Sequence, residues 1–82
     1  MDRYLRARAG SNGVTILDGD REVGTYSADT KFGFDGTTLV ALDSRLNVHF
    51  VDIVTGRVRA LEDEEEERIA LAIWRESPLT TS

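Results

Sequence analysis

Leu46-Asn47-Val48-His49-Phe50-Val51-Asp52-Ile53-Val54 carries apolar side chains on both sides of an extended chain. Successive strand residues point to opposite faces, so Val48 and Phe50 fall on one side and Val51 and Ile53 on the other. Such a strand belongs in the middle of a sheet, covered at least in part on both faces. Before it, Thr38-Leu39-Val40-Ala41-Leu42 leads through the polar Asp43-Ser44-Arg45. After it, Thr55-Gly56 turns the chain into Arg57-Val58-Arg59-Ala60-Leu61. The same arrangement stands earlier, where Asp18-Gly19-Asp20-Arg21 separates Val14-Thr15-Ile16-Leu17 from Val23-Gly24-Thr25-Tyr26. Asp-Gly between two β-prone runs is a hairpin signal, because glycine tolerates the positive φ that tight turns need.

The character changes at Leu61. Asp63 is placed to cap a helix, with Glu66 three residues on reaching back. Glu64, Glu65, Glu66 and Glu67 sit at the positive end of that helix's dipole, and Glu64 is one turn from Arg68. Pro78 stops the helix, which gives a span of about 64–76. The fold expected is a β-rich α+β domain. An antiparallel β-meander of about six to seven short strands covers residues 1–61, and an acidic-start C-terminal helix with a short tail covers 62–82.

At 100° per residue, Ile69 and Ile73 fall together on this helix while Leu71 and Trp74 lie roughly opposite. One sheet needs only one apolar stripe. Either the sheet curls around the helix and Trp74 fills core, or Ile69 and Ile73 pack on the sheet and Leu71 and Trp74 meet a partner. Tryptophan suits both roles.

Eighty-two residues without cysteine form one small domain with no disulfide or thiolate-bound metal to staple it, which favours self-association. The net charge of −5 resides wholly in residues 61–82, because acids and bases balance over 1–60. A neutral body with an acidic appendage lacks the basic stripe of a nucleic-acid binder. Arg3, Arg6 and Arg8 fall along the first strand and could contact phosphate, but Arg6 and Arg8 on one solvated face are read as guards of an edge strand. The N-terminus has no signal-peptide core and no apolar run reaches membrane-spanning length, so a soluble, cytoplasmic protein is expected.

Catalytic chemistry is not expected. His49 is the single histidine, without cysteine or a sequence-near base, and reads as a strand residue. Asp18, Asp20, Asp35 and Asp43 read as turn-formers, since the spaced calcium loop is missing. No phosphate-cradling glycine motif is present. No cofactor, metal or membrane partner is expected.

A weak internal repeat runs at an offset of 34, pairing Leu5 with Leu39, Ala7 with Ala41, Val14 with Val48 and Asp18 with Asp52. With Gly10-Ser11-Asn12-Gly13 and Asp35-Gly36-Thr37-Thr38-Leu39 leading into strands and Thr55-Gly56 following one, residues 4–61 resemble two incomplete repeats of the YVTN/WD-type β-propellers. The resemblance implies a platform for protein interaction and no particular chemistry. Three functions follow as expectations. The first is a non-enzymatic protein-binding domain, self-associating through Leu71 and Trp74. The second is an acidic inhibitor that offers Glu64 to Glu67 to a basic site on a nucleic-acid-handling protein. The third is a small-ligand binder at a blade–blade junction.

Overall fold

The computed structural model describes residues 4–81. Arg3, placed with Arg6 and Arg8 along the first strand, lies outside them. Seven strands precede the helix and one follows it: β1 Leu5–Gly10, β2 Gly13–Asp18, β3 Arg21–Tyr26, β4 Lys31–Phe34, β5 Leu39–Leu42, β6 Val48–Val51, β7 Val58–Ala60, α1 Glu64–Glu76 and β8 Pro78–Leu79. They form two antiparallel sheets, one ordered β1-β2-β3 and the other β7-β6-β5-β4-β8.

Side-chain alternation divides the interior into two cores. Leu39 and Ala41 of β5 join Leu5, Ala7, Val14, Ile16, Val23, Phe32, Val51 and Ile53 between the sheets. Val40 and Leu42 of the same strand join Val48, Ala70 and Ile73 beneath the helix. The result is three layers, with the larger sheet in the middle. The face division expected for Val48 and Phe50 against Val51 and Ile53 holds. The strand is shorter than expected, however, because Asp52 begins a turn. The strand buried at every residue is β5, next to it.

The Asp18–Arg21 hairpin forms as read, with a two-residue turn and Asp18 opposite Arg21. Strand β1 lies at the edge of its sheet with Arg6 and Arg8 exposed. Two elements escaped the sequence reading. Strand β4 pairs with β5, and the tail adds β8 to its other side, with Phe32 opposite Leu79 and Gly33 opposite Pro78. Beyond β8, Thr81 bridges in parallel to Ala7 of the other sheet, so the tail joins both. Proline fits at this edge because an edge strand has N–H positions with no ladder to complete.

Helix α1 begins and ends where the sequence predicts. The Asp63 side chain accepts from the Glu66 N–H at 2.9 Å. Glu66 reaches back one residue further than a capping box requires, accepting from the Glu62 N–H at 2.8 Å. The helix lies unusually near the sheet at Gly33, where an added Cβ would stand 2.7 Å from the Trp74 Cα. That approach corrects the expected packing face. Ala70, fully buried, sits with Ile73 against the sheet, and Ile69 is 49% exposed. A small residue under the axis lets the backbones meet, and this turns Ile69 aside. Leu71 and Trp74 are half-buried and pack against the rim of the same core. No helix is long and apolar enough to cross a membrane among the described residues.

Candidate functional site: the helix flank and the Asp43 turn

The turn between β5 and β6 is built by one carboxylate. Asp43 Oδ1 accepts from the Arg45 N–H and the Asn47 N–H, both at 2.9 Å. Its backbone adds two more bonds, donating to the Asn47 carbonyl and accepting from Leu46, each at 3.0 Å. The other oxygen, Oδ2, stands 3.3 Å from His49 Nε2. These bonds, that from Asn47 foremost, hold the Asp43 carboxyl below its ordinary value. The reading that gave His49 no sequence-near base is therefore corrected, since Asp43 reaches it from six residues away. His49 is a strand residue of β6, as expected, and the pair braces the turn.

What the turn presents is Leu46. Its φ is +68°, and it is the sole non-glycine residue with positive φ among those described. The left-handed region costs a leucine roughly 1–2 kcal/mol. Its side chain is nonetheless 76% exposed, so burial does not offset that cost. Leu46 borders a shallow recess of about 270 Å³ that Leu61, Leu71, Val48, His49 and Glu67 also line. Trp74 follows Leu71 by three positions and so extends the same helix flank. Turn and helix together form one rim of apolar groups interrupted by a carboxylate.

The acidic first turn separates into two roles. Glu66 is bound inward, with its two oxygens 3.2 Å from Arg59 Nη1 and Nη2 of β7. That side-chain pairing, followed by the bond from Glu62, keeps the Glu66 carboxyl below its usual range. The Arg59 guanidinium also lies 4.8 Å above the Phe50 ring. Glu64, Glu65 and Glu67 are exposed and have no ion-pair partner among the described residues. The expected Glu64–Arg68 pair does not form. Structure thus brings Glu67, Leu71 and Trp74 to one side, leaves Glu64 and Glu65 in solvent, and assigns Glu66 to anchoring the helix on β7. Sequence reasoning missed Leu46, because it assigned this residue to a strand.

Elsewhere Ile16, Phe32 and Leu39 between the sheets are each no more than 1% exposed, and an open recess of about 1160 Å³ is lined by Leu39, Val51, Ile53, Phe50, Arg57 and Arg59. Among the described residues no group of three or more His, Cys, Asp or Glu side chains comes together. No family model matches the chain, and no curated protein or solved structure matches it.

Proposed function

We propose that this chain is a non-enzymatic protein-interaction domain whose contact surface is the flank of α1 bearing Leu71 and Trp74, together with Leu46. The observation that carries the reading is Leu46 itself. A large apolar side chain is held in solvent by a strained backbone that four hydrogen bonds and a histidine contact fix in place. Strain of this kind persists where the surroundings over-determine it, and it concentrates at functional positions. Glu64, Glu65 and Glu67 give the surface an acidic border. The resemblance of residues 4–61 to propeller repeats belongs to the same reading, with the two meanders as the platform.

Affinity capture with wild-type and Leu46→Asn baits tests this reading, given that asparagine accepts a left-handed backbone. Proteins held by the wild type, further copies of its own chain included, are lost from the variant while its melting temperature does not fall. Equal retention by the two baits would sink the reading.

The unpaired Glu64, Glu65 and Glu67 favour a second reading, an acidic inhibitor of a basic site. It requires binding that weakens with salt and is abolished by reversing those three charges. Indifference to either change excludes it.

A further inference from the structure

We infer that Asn12-Gly13 is a site of spontaneous modification, where the side-chain amide is lost and the chain converts to isoaspartate or aspartate without an enzyme. The site is independent of the interaction surface above. The chain holds two side-chain amides, Asn12 and Asn47, and no glutamine. Of the two, only Asn12 precedes a glycine, and with no Cβ in the way the Gly13 backbone nitrogen can reach the side chain before it.

Asn12 is exposed, in the two-residue turn that joins β1 to β2 beyond the Gly10–Gly13 pair. Neither Ser11 nor Asn12 has a positive φ, so the turn is not of the I′ or II′ form whose twist matches the flanking strands. Such a turn, at the end of an edge strand, opens locally at small cost. The Asn12 side chain makes no hydrogen bond among the described residues, so nothing holds it away from the backbone.

The competing positions are tied down. Asp35, before Gly36, accepts from the Thr37 and Thr38 N–H groups and from the Thr37 hydroxyl. Asp18, before Gly19, lies 3.6 Å from the Arg21 guanidinium. Both are carboxylates, and an ionised carboxylate carbon is a poorer electrophile than an amide carbon. Asn47 precedes Val48, whose branched Cβ crowds the attacking nitrogen. Its backbone is also held at both ends, its N–H by Asp43 Oδ1 and its carbonyl by the Asp43 N–H.

At Asn12 the Gly13 nitrogen attacks Cγ. The new N–C bond forms as the Cγ–Nδ2 bond breaks, and the amide nitrogen leaves as ammonia with the Gly13 proton. Water then opens the cyclic imide at either carbonyl. Opening at the Asn12 backbone carbonyl leaves isoaspartate, with an extra methylene in the main chain of a tight turn. Either product adds a carboxylate to the recess that Arg8 and Glu22 line together with Asn12.

Peptide mapping of the full chain after incubation at mildly alkaline pH tests the site, with enzymatic methyl labelling of isoaspartate and a synthetic peptide of residues 10–15 as the unstructured rate standard. Asn12 in the folded chain converts within about ten-fold of the peptide's rate, a barrier difference of under about 1.4 kcal/mol. Asn47 stays intact over the same interval, and the acidic band that wild type develops on isoelectric focusing is absent from Asn12→Ser. An Asn12 slower than the peptide by more than about ten-fold overturns the inference. Conversion at Asn47, Asp18 or Asp35 ahead of Asn12, or an equal acidic band in Asn12→Ser, overturns it as well.

Discussion

Two turns of the larger sheet are each organised by one aspartate carboxylate, and each holds one left-handed residue. In the turn after β6, Asp52 Oδ1 accepts from the Val54 N–H at 2.8 Å and the Thr55 N–H at 3.2 Å. Its left-handed residue is Gly56, with φ +76°. In the turn after β5, which is one residue shorter, Asp43 Oδ1 accepts from the Arg45 and Asn47 N–H groups, and the left-handed residue is Leu46. Gly56 is demanded by its surroundings, since an added Cβ would collide with the Val23 carbonyl oxygen. The Gly56 carbonyl also accepts from the Tyr26 hydroxyl at 2.7 Å, which ties this turn to the other sheet. Leu46 has no such contact and stands in solvent. One turn is shaped by packing within the domain. The other leaves its left-handed apolar residue in solvent.

The largest effect is expected at Gly56. Gly56→Ala combines the left-handed penalty with a collision against backbone, and it should cost about 3 kcal/mol or more, measured by urea unfolding. A loss below about 1 kcal/mol would mean that this turn is as free as the other. Tyr26→Phe removes the tie between sheets and should cost about 1 kcal/mol. No loss would show the hydroxyl equally well served by water. Leu46→Asn should act in the opposite direction, raising stability by roughly 0.5–1 kcal/mol as strain is relieved. Destabilisation there would place Leu46 in the folding core and remove the contrast.

The smallest effect is one of pH. Bonds to backbone N–H groups depress the carboxyls of Asp43 and of Asp35, whose Oδ1 accepts from Thr38 and Thr37. A depressed folded pKa contributes stability above the unfolded value of 3.8, and that contribution is lost as pH falls through the folded value. Thermal melts of wild type and Asp43→Asn should therefore differ most near neutrality and converge below about pH 4. A gap that stays constant through that range would contradict the carboxylate's role.

The sequence was most legible where local chemistry decides. Asp63, the glutamates and Pro78 set both ends of α1, and Asp18-Gly19 set a hairpin. The alternation of Val48, Phe50, Val51 and Ile53 divided correctly between two cores. Legibility failed where distant backbone decides. Strand β8 exists because Pro78 and Leu79 meet Gly33 and Phe32, more than forty residues away. The orientation of α1 depends on the same Gly33, which brings Ala70 rather than Ile69 to the sheet. The offset-34 repeat places Leu5, Leu39, Ala7 and Ala41 in one core but sends Val14 and Val48 to different cores. At the candidate site, Leu71 and Trp74 stood out by excess bulk on a helix. Leu46 did not, because leucine carries no turn signal and its positive φ arises from bonds that Asp43 makes around it.

The most direct test is absolute molar mass by light scattering over a dilution series of wild type and Leu46→Asn. The wild-type mass should climb from 9.1 kDa toward twice that value with concentration. The variant should hold at 9.1 kDa while melting no lower than wild type. A variant that associates as tightly as wild type would contradict the assignment of Leu46 to the contact surface, and a wild type fixed at 9.1 kDa would contradict self-association.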